Sequence, residues 1–137
     1  PRSRVHYAPT WSPDGSKLFA ARRSDRLPDG SFMYDLMIGS SEDFSDATVI
    51  HRCSELPRGP VFTPDGSAVL FSLTEPIPER LSVWAIPTDG SREPVLVDHL
   101  AGRYGTPSLS PDGAYMLTTR DTMLAKTRLA GLAQGGD

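Results

Sequence analysis

An all-β chain made of repeated four-stranded antiparallel blades, a β-propeller of about three blades, is the fold class that the sequence predicts. Three observations predict it. One segment recurs three times without gaps: APTWSPDGSKLFAARR from Ala8, GPVFTPDGSAVLFSLT from Gly59 and TPSLSPDGAYMLTTRD from Thr106. The turn aspartates Asp14, Asp65 and Asp112 lie 51 and then 47 residues apart, a period that suits one four-stranded blade. Thirteen prolines and twelve glycines at short intervals would interrupt the long amphipathic helices that helical repeats of similar length need.

The turn comes first in each unit. Pro13, Pro64 and Pro111 preset φ near −65°, the following Asp14, Asp65 and Asp112 tolerate the bridge region, and Gly15, Gly66 and Gly113 accept a positive φ. Ser12, Thr63 and Ser110 add a hydroxyl able to bond back to the amides of the turn. All of these positions therefore have a structural purpose, and the aspartates read as hairpin corners rather than as catalytic or metal-binding groups.

The strand after each turn has adjacent apolar positions: Leu18 and Phe19, Val69 to Phe71, Met116 and Leu117. Burial on both faces follows, as in a sheet sandwiched between two neighbours. Third strands are predicted over Phe32 to Ile38, Leu81 to Ile86 and Met123 to Leu129, with loops at Arg22 to Ser31 and Thr74 to Arg80 before the first two. Fourth strands are predicted at Ala47 to Arg52 and Pro94 to Val97, and none is visible in the third unit. The single domain, 1–137, thus divides into blades at about 6–53, 56–100 and 103–137, the last without its outer strand.

Composition narrows the function classes. The 137 residues, 38% hydrophobic with a mean hydropathy of −0.30, suit one core. Fourteen Lys and Arg against seventeen Asp and Glu give a net charge of −3, with basic residues dispersed apart from small groups such as Arg22, Arg23 and Arg26, so nucleic acid is not an expected partner. No apolar run approaches the roughly 18 residues of a membrane span. The lone Cys53 rules out an internal disulfide and any multi-cysteine metal site, and reads as a structural, partly buried thiol. The opening Pro1-Arg2-Ser3-Arg4 lacks an initiator Met and a signal pattern, which predicts a processed, excised or incomplete product and leaves the compartment undetermined.

The thrice-repeated small-Pro-x-apolar-Ser/Thr-Pro-Asp-Gly pattern resembles the TolB-like propeller repeat, a relative of the tryptophan-aspartate repeats, over nearly the whole chain. The resemblance implies a radial array of blades whose inner strands, near His6 to Trp11, Leu56 to Phe62 and Tyr104 to Leu109, line a central channel. Trp11 then falls in the apolar slot of Phe62 and Leu109 and reads as core, as does Trp84 in a third strand. Such repeats occur in a periplasmic protein-binding protein, in the gating propellers of prolyl oligopeptidase-like peptidases, in a pectin-fragment lyase with a metal in its propeller, and beside sensory or DNA-binding domains. Among these the resemblance leans toward a periplasmic or extracytoplasmic location.

Candidate sites are sparse. The histidines His6, His51 and His99 are not paired at metal-ligand spacing; His51 and His99 fall in or just after outer strands, and His6 alone lies near the channel mouth. No Gly-x-Ser-x-Gly elbow occurs. The connections entering the inner strands carry His6, Tyr7, Arg58, Arg103 and Tyr104 on one rim, a composition favoured at interaction hot spots; their plainer use is to cover blade ends. The expected function is non-catalytic recognition of a protein partner or small ligand, without cofactor or metal. The alternative is the substrate-gating propeller of a prolyl oligopeptidase-like serine peptidase, and a third reading is a metal-assisted sugar lyase. Uncovered blade faces predict self-association or pairing with further blades.

Overall fold

The computed structural model describes residues 6–75, 80–101, 108–120 and 123–129. Its strands form three antiparallel sheets in chain order. Blade 1 consists of β1 (His6–Trp11), β2 (Lys17–Arg26), β3 (Phe32–Ser40) and β4 (Thr48–Cys53), with a 3₁₀ turn at Phe44–Asp46 between the last two. Blade 2 holds β5 (Arg58–Phe62), β6 (Ala68–Glu75), β7 (Arg80–Pro87) and β8 (Val95–Ala101). Blade 3 holds β9 (Ser108–Leu109), β10 (Tyr115–Arg120) and β11 (Met123–Arg128), and no outer strand is found among the described residues.

Within each blade every strand pairs antiparallel with the next, and β1 and β5 approach one another on the inner side. Adjacent blades then meet flank to flank, and the period of two along each strand decides which residues do so. On the front flank of blade 1, Phe19, Ala21, Leu36 and Ile38 pack with Phe62, Val69, Phe71 and Ile86 on the rear flank of blade 2. On the front flank of blade 2, Leu70, Val83 and Ala85 pack with Met116 and Leu129 of blade 3. Fully burying a side chain such as Phe71 contributes about 1.5–3 kcal/mol.

Burial on both faces of the second strand is complete along the middle blade, and in blade 1 it holds at Phe19, Ala20 and Ala21, which are buried on alternating faces. Val69, Leu70 and Phe71 are all buried, whereas Leu117 of β10 is exposed and Leu18 of β2 is half-buried. The outward-facing flanks of blades 1 and 3 lack a neighbouring blade among the described residues. Trp11 corrects the sequence reading for the same reason. It occupies the slot of Phe62, but its side chain points to the rear of blade 1 and is 61% exposed. Trp84 is half-buried against the core between blades 1 and 2, and its indole N–H donates to the Ser82 hydroxyl at 2.9 Å.

A second correction concerns the segment Arg22 to Ser31, expected as a loop. β2 runs on to Arg26, because Arg22 pairs with Asp35, and Arg23 and Arg26 lie over the Phe32 ring at 4.4 and 5.9 Å. Only Leu27 to Ser31 form the turn. Asp29 accepts hydrogen bonds there from the Ser31 amide and hydroxyl, and Gly30 takes a φ of 89°. β6 likewise extends through Glu75, while Pro76 and Pro78 lie outside the described residues.

Candidate functional site

The strands run so that one rim collects the entrances to the inner strands and the β2–β3 turn, and the opposite rim collects the Pro-Asp-Gly turns. Each turn closes through a Gly amide donating to the carbonyl three residues back, from Gly15 to Ser12, Gly66 to Thr63 and Gly113 to Ser110, with Gly φ values of 74°, 73° and 70°. The Ser12, Thr63 and Ser110 hydroxyls accept from the amides of Lys17, Ala68 and Tyr115 and donate to Asp14, Asp65 and Asp112.

Those hydrogen bonds fix the state of the carboxylates. The Ser16 amide, with the Ser12 and Ser16 hydroxyls, lowers the Asp14 pKa to about 2. The Ser110 hydroxyl and the Ala114 amide lower that of Asp112. Burial pushes Asp65 upward, but the bonds from Ser67 and Thr63 outweigh it and its pKa is also lowered. A general acid at neutral pH needs the opposite shift, so these groups serve as ionised acceptors that lock the corner. Between the first two turns lies a cleft of about 420 Å³ lined by Pro13, Asp14, Lys17, Pro64 and Asp65.

The other rim holds the predicted binding residues. The ring of Tyr7 stands edge-on to Tyr34 at 6.1 Å and packs half-buried against the core between blades 1 and 2. Arg58, at the equivalent position of β5, is exposed. His6 is exposed and meets the Phe44 ring edge-on at 6.1 Å, on the rear flank of blade 1. Arg103 and Tyr104 lie outside the described residues. Tyr7 and Arg58 are each followed by a residue in the left-handed region, Ala8 at φ 51° and Gly59 at φ 55°, where the register with the second strand slips. Both inner strands therefore carry a bulge that redirects the chain at this rim. Left-handed geometry costs a non-glycine residue about 1–2 kcal/mol, so blade 1 holds the bend at Ala8 under strain.

Sequence reasoning missed two features. Arg23 and Arg26, stacked on Phe32, add basic and aromatic surface to this rim, and the signal is the Arg-Arg-Ser-Asp-Arg run that suggests a loop. Asp35, 1% exposed, accepts from Arg22 and Arg52 at 2.8 Å each. Facing positions His6, Arg22, Asp35 and Arg52 form one ladder across all four strands of blade 1.

His51 and His99 sit on the outer strands β4 and β8 beside Glu93 and Glu75, at 3.3 and 3.0 Å. Cys53 is half-buried, its thiol donates to the Glu55 carbonyl, and burial pushes its pKa up to about 11. Among the described residues no three His, Cys, Asp or Glu side chains converge to hold a metal ion, and no helix is long and apolar enough to cross a membrane.

No family model and no curated protein matches the sequence. Solved structures do match. TolB from Acinetobacter baumannii superposes with a TM-score of 0.69 at 18% identity, over 94% of this chain and 31% of its own. An acylaminoacyl peptidase matches with a TM-score of 0.60 at 16% identity, over 84% of this chain and 17% of its own. The β-propeller domain of the Trilobed protease from Pyrococcus furiosus, described as having an open velcro topology, matches with a TM-score of 0.62 at 12% identity, over 85% and 34%. The chain spans about a third or less of each of these structures. Three repeats, sheets ordered strand by strand, and flanks packed blade on blade give this chain the TolB-like β-propeller fold.

Proposed function

We propose that the chain is a non-catalytic recognition module that binds a protein partner through the rim at which the inner strands begin. The observation that carries this reading is the pair of bulges at Ala8 and Gly59, which set Tyr7 and Arg58 at matching positions of adjacent blades beside Arg23, Arg26 and Phe32. Backbone strain tends to persist where function requires a bend. Rigid aromatic rings and arginine forks supply large contact area and directional donors. On the opposite rim the aspartates are engaged in their own turns.

A second reading, the substrate-gating propeller of a serine peptidase, is favoured by the peptidase structures among the matches. In that case the same rim would screen peptides for a catalytic domain. Selection from a random peptide library displayed on phage tests the main reading. Enriched peptides should lose binding to Arg58→Ala and Tyr7→Ala and keep it with Asp14→Asn. Peptides that discriminate none of these variants would remove this rim from consideration. Cleavage of the peptides by the chain itself would overturn the non-catalytic assignment.

A further inference from the structure

Two neighbouring arginines of β2 meet different surroundings. Arg22 faces the rear of blade 1, where its guanidinium donates to the buried Asp35 at 2.8 Å. Arg23 faces the front, opposite Tyr34, and is half-buried. Its guanidinium carbon stands 4.4 Å over the Phe32 ring, and that of Arg26 stands 5.9 Å over the same ring. Among the described residues neither guanidinium donates a hydrogen bond or pairs with a carboxylate.

The acids around this pair have other partners. Asp25 lies 3.4 Å from Arg52, Asp29 accepts from the Ser31 amide and hydroxyl, and Glu75, at the end of β6, lies 3.0 Å from His99. Two like charges thus share one aromatic ring without a counter-ion among the described residues. Each guanidinium carries five donors in a planar fork, and desolvating donors without giving them an acceptor is unfavourable. Stacking on the ring fixes the plane of the fork and leaves its edge N–H groups to a ligand.

An apolar seam ends beside the pair. Ile38 and Leu36, on the front of β3, are buried between blades 1 and 2, and Tyr34 and Phe32 carry the same stripe on to the rim, where both are half-buried. Tyr7 meets Tyr34 edge-on, and Leu73 of blade 2 packs against the same core. One blade further on, the position of Tyr7 is held by Arg58, which is exposed and has no ion-pair partner among the described residues.

We propose that the segment received at this rim is acidic, a short stretch of a partner protein whose Asp or Glu carboxylate is gripped by Arg23 and Arg26 over Phe32, with a second carboxylate reaching Arg58. The inference rests on the recognition reading above and names the chemistry of what is recognised. A carboxylate matches a guanidinium fork through two parallel hydrogen bonds. The Phe32 ring holds the fork before binding, so less side-chain freedom is lost on contact. Cations on two adjacent blades call for several acidic side chains along one segment rather than a single chain terminus. The opposite rim exposes Asp14, Asp65, Glu42, Asp43 and Asp46, so like-charge repulsion there directs the same segment away.

Fluorescence anisotropy on the folded chain tests the proposal, with a labelled peptide of alternating Glu and Tyr blocked at both ends and its counterpart with Gln in place of Glu. The Glu peptide should bind at least about tenfold more tightly, the size of one lost charge-assisted contact, and should weaken as salt is added. Arg23→Gln and Arg26→Gln should each lower its affinity about tenfold with unchanged circular dichroism. Arg23→Lys should recover only part of that loss, because it restores the charge without the fork. Lys17→Gln removes the same charge from an exposed position on the opposite rim and should leave binding intact.

Equal affinity for the two peptides, absence of binding included, or equal losses with Arg23→Gln and Lys17→Gln, overturns the proposal. Library peptides that depend on Arg58 and Tyr7 but are indifferent to Arg23→Gln and carry no excess of Asp and Glu would also overturn it, while leaving the recognition reading intact. Library peptides indifferent to Arg58 and Tyr7 would remove both.

Discussion

Replacing Asp35 by Asn leaves two guanidinium groups facing a neutral amide inside blade 1. The carboxylate is 1% exposed and accepts one 2.8 Å hydrogen bond on each oxygen, from Arg22 and from Arg52. Removing one partner of a buried ion pair costs about 3–5 kcal/mol, because the remaining charge stays desolvated. The Arg22 side chain is 19% exposed, but that of Arg52 is 50% exposed, so water screens one of the two and places the loss at the lower end, about 3 kcal/mol. For a domain of this size that corresponds to a fall in Tm of about 10 °C, read by circular dichroism on dilute protein.

The same substitution changes the response to acid. Burial raises the Asp35 pKa, but the hydrogen bonds and charges of Arg22 and Arg52 outweigh it and hold the carboxyl below its ordinary value. A group whose pKa is lower in the folded chain contributes its full stability above the unfolded value and loses it as pH falls through the folded one. The wild type should therefore lose stability more steeply than Asp35→Asn below pH about 4. A variant within about 0.5 kcal/mol of the wild type, the size of a neutral surface change, would refute the reasoning, as would an unchanged acid slope.

Other positions give sharp comparisons. Gly15→Ala and Gly113→Ala incur the same left-handed strain, but only the second drives a methyl to 2.9 Å from Pro64; urea midpoints should place Gly113→Ala at least about 1 kcal/mol below Gly15→Ala. Ala8→Gly relieves about 1–2 kcal/mol of left-handed strain at an entropic cost of about 0.5–1 kcal/mol, so its midpoint should hold or rise; a fall as large as that of the control Ala21→Gly would contradict the φ of 51°. Cys53, with its pKa pushed up to about 11 and its side chain half-buried, should react with iodoacetamide at pH 8 far more slowly than in the urea-unfolded chain. Equal rates would show the thiol to be open.

The repeat made most of this fold legible. Turn residues carry their reasons locally, since proline, a short acceptor and glycine dictate the corner regardless of what surrounds it. β1 keeps the predicted bounds His6–Trp11, and among the described residues the ends of the other strands differ from the predicted ones by a few residues. Burial depends on neighbours and was less legible. Trp11 and Phe62 hold the same slot, yet among the described residues only Phe62 has a blade behind it. Arg22 to Arg26 looked like a loop because charge usually marks solvent, whereas Arg22 faces a buried Asp35 and Arg23 stacks on Phe32. The strain at Ala8 had one visible trace, the glycine at the matching position of blade 2.

The most direct test of the blade-on-blade arrangement is a methyl-resolved nuclear Overhauser spectrum of the folded chain. Cross-peaks should link the methyls of Leu36 and Ile38 in blade 1 with those of Val69 and Ile86 in blade 2, and the methyls of Leu70 and Val83 with that of Met116 in blade 3. Cross-peaks confined within each sheet, with none between sheets, would contradict the account.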